Sequence, residues 1–82
     1  MPNSDPQPAL GRAIRALRQE SQLSQEGLAE RSELDPAEIA RIESGRADPA
    51  WGDVRRIVRA LDVPLERLAE LAEELEEREI TP

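Results

Sequence analysis

Two short helical segments joined by a tight turn constrain the fold of this chain more than any other feature. Ser24 is a favourable N-cap for the first segment, and Asp35 is a favourable N-cap for the second. Pro36 then takes the first helical position, where its missing N–H costs nothing. Gly45 is placed to end the second segment as a left-handed C-cap. The pattern predicts a helix at about residues 24–31, a turn at 32–34 and a second helix at about 35–44.

Three further segments have the periodicity of amphipathic helices. Leu10, Ala13, Ile14 and Leu17 recur at i, i+3, i+4 and i+7, and comparable apolar stripes recur twice after Gly45. No segment has the alternation of a strand. We therefore predict an all-α fold of five helices, the other three lying at about residues 9–20, 50–61 and 65–79. The domain is expected at 9–68, after a flexible proline-containing arm (1–8) and before an acidic C-terminal helix extension and tail (69–82).

Composition excludes several classes of function. The 82 residues suffice for one domain, and they include no cysteine and no histidine. Thiolate and imidazole metal sites and histidine-based catalysis are therefore absent, and no enzyme activity, metal or cofactor is expected. The first ten residues lack a basic region followed by an apolar run, and no apolar segment is long enough for a membrane span. These features favour a cytoplasmic binding protein.

The charge of the chain is unevenly distributed. A net charge of −7 argues against a nucleic-acid binder. However, residues 10–61 contain nine arginines and nine acidic residues, whereas residues 62–82 contain two arginines and eight acidic residues. The acidity therefore belongs to the C-terminal segment, and a neutral core can still present one basic face.

The helix–turn–helix segment resembles the λ-repressor/Cro-type (Xre-like) DNA-binding domains, and the resemblance covers about residues 10–68. It is carried by the register of the whole segment: Gln25, Leu28-Ala29, Leu34, Ile39, Ile42, Glu43-x-Gly45, Asp48-Pro49 and "ALDVPLERL". Glu33 departs from the pattern, because it stands where the turn usually has glycine. If that position requires a positive φ, Glu33 costs roughly 1 kcal/mol.

The resemblance implies that the second helix of the motif reads base edges in the major groove. The matching positions are Pro36, Ala37, Glu38 and Arg41. Arg41 is the one strong donor among them and suits guanine O6 and N7, whereas Pro36 and Ala37 suit thymine methyl groups. Glu38 either selects a cytosine through its N4 amine or is a solvated helix residue.

The resemblance also implies phosphate contacts and one structural ion pair. Gln25, at the start of the first helix of the motif, and Arg46 are the main phosphate candidates, and Ser44 is a third. Arg18 and Glu43 match positions that family members often pair, and both lie at the edges of apolar stripes. We interpret this pair as structural, so that Arg18 is not available to DNA.

The last predicted helix has a longer apolar stripe than a small domain needs. Leu71 and Leu75 are surplus, and together with Trp51 they are candidates for a dimer or partner surface. A homodimer on a near-palindromic site is the favoured interpretation, since the family reads such sites as dimers. The flanking glutamates would repel each other across a seam between two such helices. A basic partner protein would avoid this repulsion. The third alternative is a solvated tail.

These observations predict a small transcription regulator that acts on the nucleoid as a dimer and binds a specific double-stranded DNA sequence. The alternative is a protein-interaction module, an antitoxin-like or partner-dependent regulator that works through the acidic C-terminal helix.

Overall fold

Five α-helices follow one another along the chain in a computed structural model, which describes residues 8–80 and the side chains of residues 8–78. They are α1 (Pro8–Glu20), α2 (Gln25–Ser32), α3 (Pro36–Glu43), α4 (Trp51–Leu61) and α5 (Leu65–Ile80). Within the described residues there is no strand, and the predicted all-α, five-helix fold is confirmed. Pro8, predicted to belong to the arm, is the first residue of α1, and residues 1–7 and 81–82 lie outside the described part. None of the five helices is long and apolar enough to span a membrane.

The core is formed where the apolar stripes of all five helices meet. Its largest fully buried side chains are Ile14, Leu17, Leu28, Ile39, Ile42, Ile57 and Leu68. Burying one side chain of this size contributes about 1.5–3 kcal/mol, so a core of seven holds a domain of this length together. α3 has eight residues and contributes two of these side chains, Ile39 and Ile42. Its opposite face points outward.

The turn between α2 and α3 lies at residues 33–35, one residue later than predicted, and it contains a left-handed residue. Ser24 caps α2 as predicted, its Oγ accepting a hydrogen bond from the Gly27 N–H at 2.9 Å. Glu33, which stands where such turns usually have glycine, has a left-handed backbone with φ of 61°, and its strain costs roughly 1 kcal/mol. The N–H of Leu34 then closes the end of α2 by donating to the Ala29 carbonyl.

The predicted side-chain cap at the start of α3 is absent. Asp35 occupies the N-cap position, but its carboxylate accepts no capping hydrogen bond. Only its backbone carbonyl takes part, by accepting from the Ile39 N–H at 3.0 Å. The Asp35 side chain is exposed, while Pro36 fixes φ at the first helical position.

The end of α3 depends on a glycine. Gly45 has φ of 80°, as predicted for a left-handed cap, and a Cβ there would lie 3.0 Å from the Cα of Pro8. The N–H groups of Gly45 and Arg46 donate to the carbonyls of Ile42 and Arg41, both at 3.0 Å. These bonds satisfy carbonyl groups that the helix end would leave unpaired.

Two expectations about apolar residues are corrected by the packing. Leu71 and Leu75, expected to be surplus, are half-buried and pack against the core, because α5 continues unbroken along α1. Trp51, expected on the apolar face of α4, has 59% of its surface exposed. It is the first residue of α4, one turn before Val54, where the core contacts of that helix begin.

Candidate nucleic-acid interface

The outward face of α3 carries most of the residues predicted to contact bases. Pro36, Ala37 and Arg41 are exposed, whereas Ile39 and Ile42 on the opposite side are completely buried. Because the helical period fixes these directions, the core contacts of the two isoleucines orient the exposed residues. Glu38 is half-buried beside this face.

An ion pair lies on this face. The Arg41 Nη1 is 3.6 Å from the Glu38 Oε1, and the two side chains are 63% and 32% exposed. A solvent-exposed pair at i, i+3 stabilises a helix by about 0.2–0.5 kcal/mol, so it is easily exchanged for other partners. Arg41 therefore has a preferred direction without being immobilised.

A buried ion pair holds the inner side of the same helix. The Arg18 Nε donates to the Glu43 Oε2 at 2.6 Å, and the Arg18 Nη2 donates to the Oε1 at 3.1 Å. The third guanidinium nitrogen, Nη1, donates to the Leu23 carbonyl at 2.8 Å. The two side chains are only 10% and 3% exposed, so the pair predicted from the sequence is present and Arg18 is turned away from solvent.

Gln25 joins this buried network. Its Nε2 donates to the Glu43 Oε1 at 3.0 Å, which links the first residue of α2 to the end of α3. Together with Arg18 of α1, the Glu43 carboxylate therefore connects three helices. Sequence analysis assigned Gln25 to phosphate binding and did not anticipate this bond, because the two residues are 18 positions apart.

The other two phosphate candidates differ in what they offer. Arg46 is exposed just after Gly45, with its guanidinium at the surface. The Ser44 Oγ already donates its proton to the Arg41 carbonyl at 3.0 Å. A phosphate oxygen only accepts hydrogen bonds, so Ser44 is the weaker candidate unless its hydroxyl turns.

Gly11 is a structural determinant of this site that sequence analysis missed. A Cβ at this position would lie 2.2 Å from the Ile42 carbonyl oxygen and 2.7 Å from that of Glu43. α1 therefore touches the backbone of the last turn of α3. The available signal was a lone glycine inside a helical pattern, which often marks close packing.

Nothing in this arrangement resembles a metal site. Among the described residues, no group of three or more acidic, histidine or cysteine side chains is placed to hold an ion. The exposed side of α3 is a helix face with one projecting guanidinium, and the buried Arg18–Glu43–Gln25 network holds the helix from behind. Such a face is suited to inserting into a groove.

Comparison with known proteins places this architecture in a family. The helix-turn-helix domain model matches residues 9–71. The restriction-modification controller protein C.AhdI from Aeromonas hydrophila is 31% identical over 74% of this chain and 92% of its own, with a TM-score of 0.73. No curated protein sequence is significantly similar to the chain.

Two further structures agree with this assignment. The clp gene regulator ClgR from C. glutamicum is 25% identical over 83% of this chain and 88% of its own, with a TM-score of 0.80. A mutant of the restriction-modification controller protein C.Esp1396I is 26% identical over 85% of this chain and 93% of its own, with a TM-score of 0.79. The chain therefore belongs to the helix-turn-helix domain family of λ-repressor/Cro type, and it is a DNA-binding domain of the kind found in transcription regulators.

Proposed function

We propose that this protein regulates transcription by binding a specific duplex DNA sequence, with α3 in the major groove. The observation that carries the proposal is the contrast between the two sides of α3. The exposed side presents Pro36, Ala37 and Arg41, and the buried side is fixed by Ile39, Ile42 and the Glu43 network. A rigid helix with a small exposed face matches the dimensions of the major groove, which admits one α-helix.

Each residue of this face has a distinct role in base recognition. Arg41 donates two hydrogen bonds to guanine O6 and N7. Pro36 and Ala37 contact thymine methyl groups. Glu38 accepts from the N4 amine of a cytosine, and it opposes any register that would place a phosphate beside it. The negative charge at the start of the helix therefore contributes to selection between sites.

Phosphate contacts set the register of the helix on the duplex. Gln25 lies at the N-terminus of α2, where backbone N–H groups and the helix dipole favour an anion. Arg46 contributes a charged donor at the end of α3, and Ser44 contributes a hydroxyl. So few charged contacts give a modest affinity that falls as salt rises.

Binding by a dimer compensates for that modest affinity. Two copies related by a two-fold axis would present two α3 helices to half-sites about one helical turn of DNA apart, and so recognise a near-palindrome. Trp51 and the segment of α5 that contains the half-buried Leu71 and Leu75 form the proposed dimer surface. In this role the protein acts in the cytoplasm on the nucleoid and catalyses no reaction.

Selection from a random duplex DNA library at low salt tests this function directly. We expect the native protein to enrich a near-palindrome with half-sites about 10 base pairs apart, each half-site containing a guanine that Arg41→Ala no longer requires. Arg56→Ala, which removes an exposed arginine from α4, is the matched control and should enrich the native motif. A native protein that enriches no more than Arg41→Ala would refute the proposal.

A second candidate function is suggested by the acidity of α5. Residues 62–82 carry eight acidic side chains against two arginines, a surface suited to a basic protein partner. Replacing the exposed Glu70 and Glu74 with glutamine separates the two functions. The DNA-binding function leaves the selected motif of this variant unchanged, whereas a partner-dependent function is lost together with the charge.

A further inference from the structure

Two surface features have no part in the proposed reading of DNA. The first is Trp51, which is 59% exposed at the start of α4 and is the only large apolar side chain exposed among the described residues. An indole ring buries about 150–250 Å² when it is covered, so leaving it in water is unfavourable. Tryptophan is also among the residues most enriched at the energetic centres of protein interfaces.

The second feature is a cleft of about 240 Å³ between α1 and α5. Its lining consists of four apolar residues and two glutamates, namely Ala9, Leu10, Ala69, Ala72, Glu73 and Glu76. For comparison, an apolar cavity of about 150 Å³ binds benzene, so the cleft is large enough for an indole ring. The small alanine side chains are what leave this space open.

We propose that in the homodimer Trp51 of each copy inserts into the cleft between α1 and α5 of the other copy. The inference rests on the dimeric form of the proposed function and names its contact surface. Each copy carries both the ring and the cleft. Under a two-fold axis the contact would therefore be made twice, and neither feature would stay exposed.

Charge complementarity favours a second copy of this chain as the occupant. Arg55 lies one helical turn after Trp51 on the same side of α4 and is exposed. Glu73 and Glu76 are exposed at the cleft that receives the ring. None of these three charges has an ion-pair partner within the described residues. Arg55 next to the inserted ring would meet Glu73 and Glu76 of the other copy.

This arrangement also removes the objection that the acidic α5 raises against a dimer. A seam between two α5 helices would place like charges opposite each other and would be unfavourable. In the proposed contact, the acidic α5 faces α4 of the other copy, whose exposed side carries Arg55 and Arg59. The glutamates then attract the partner copy and determine the pairing.

The fluorescence of the protein reports on this contact, because Trp51 is the only aromatic residue in the chain. Without DNA, we expect the native protein to change from monomer to dimer in sedimentation as its concentration rises, and the Trp51 emission to shift to the blue over the same range. Trp51→Ala, which removes the ring, and Ala69→Leu, which fills the cleft from an exposed position, should both remain monomeric. Their helical circular dichroism should equal that of the native protein.

A charge exchange tests the pairing itself. Arg55→Glu places like charges at the contact, and so does Glu73→Arg. We expect each variant alone to dimerise about 100-fold more weakly than the native protein, since opposed like charges are strongly unfavourable at interfaces. An equimolar mixture of the two should recover most of the native dimer, because both contacts are then between opposite charges. Arg56→Glu makes the same change at the adjacent exposed arginine and should dimerise like the native protein.

Several outcomes would overturn the inference. They are a native protein that stays monomeric, a dimer whose Trp51 emission does not shift, a Trp51→Ala variant that still dimerises, or a charge-exchanged mixture that stays monomeric. If these occur while library selection still recovers a site that depends on Arg41, the DNA-binding function stands and this dimer contact fails. A dimer that behaves as expected but selects no DNA would instead refute the proposed function alone.

Discussion

Two ion pairs lie on opposite sides of α3, and they differ in distance, in solvent exposure and in the further hydrogen bonds that they make. Arg18 and Glu43 meet at 2.6 Å with side chains 10% and 3% exposed, and further hydrogen bonds join them to Gln25 and the Leu23 carbonyl. The Arg41 Nη1 lies 3.6 Å from the Glu38 Oε1, and these side chains are 63% and 32% exposed. The buried pair connects α1 to α3, and the hydrogen bond from Gln25 adds α2, whereas the exposed pair connects two residues of one helix.

The difference explains how a short helix can be held in a fixed position and still present side chains for binding. Opening the buried pair would leave charges without water, so that pair fixes where α3 stands relative to α1 and α2. The exposed pair costs little to open, because water or a base edge can replace either partner. The buried pair therefore sets the position of α3, and the exposed pair can exchange its partners for the groups of a bound molecule.

Removing one partner of the buried pair should have the largest effect on stability. We expect Arg18→Ala to lower the free energy of unfolding by about 3–5 kcal/mol, because it leaves the Glu43 carboxylate buried without its counter-charge. Urea denaturation measures this. Arg15→Ala removes an exposed arginine from the same helix and should change stability by less than about 0.5 kcal/mol. Similar losses for the two variants would mean that the buried pair does not hold α3.

The packing of α3 against α1 can be disrupted by a substitution that changes no charged residue. Gly11→Ala should lower the free energy of unfolding by about 3 kcal/mol, because its Cβ would be 2.2 Å from the Ile42 carbonyl oxygen. Thermal or urea unfolding measures the loss. Gly52→Ala, in α4, meets nothing within 4 Å and should be neutral or stabilising by up to about 1 kcal/mol. A tolerated Gly11→Ala would show that the helices can separate at little cost.

The exposed pair should affect binding and leave stability nearly unchanged. Arg41→Ala should lose about 1–3 kcal/mol of discrimination for the guanine it contacts. Its free energy of unfolding should change by less than about 0.5 kcal/mol. Competition between the selected site and a site with that guanine replaced measures the first quantity, with Arg56→Ala as the control. An unfolding penalty as large as that of Arg18→Ala would contradict the division between the two sides of α3.

Glu38→Gln should have the smallest effect on stability and still change the preferred base. The exposed pair contributes less than about 0.5 kcal/mol, so unfolding should be almost unaffected. An amide both donates and accepts, which suits adenine N6 and N7 better than cytosine N4. Library selection with the variant should therefore replace a cytosine by an adenine at one position of each half-site. An unchanged motif would identify Glu38 as a solvated residue with no role in base selection.

Local signals in the sequence were sufficient for the five helices and their order. The Ser24 cap, the Gly45 terminus and the apolar stripe of α1 depend on neighbours within a few residues, and the structure agrees with each. The outward direction of Arg41 followed for the same reason, because the helical period fixes it once Ile39 and Ile42 are assigned to the core. The Arg18–Glu43 pair was inferred from the family resemblance and the edge positions of the two residues.

Other features depended on where separate segments meet. Asp35 has the residue type of a cap, yet its side chain makes no capping bond. Gln25 has the position of a phosphate ligand, yet its amide bonds to Glu43 of another helix. Trp51 fits the apolar stripe of α4, yet it lies beyond the edge of the core. No spacing along the chain distinguishes these alternatives.

By itself, the sequence determined the helices, the Ser24 and Gly45 caps and the direction of the face that α3 presents, because each follows from the chemistry and periodicity of adjacent residues. Only the tertiary structure decided that Gly11 must be bare, that Gln25 completes the buried network, and that a ring protrudes from α4 while a cleft opens beside α5. The physical reason is that contact distances between helices depend on how the whole core closes. Those distances separate a residue that packs from one that remains available for binding.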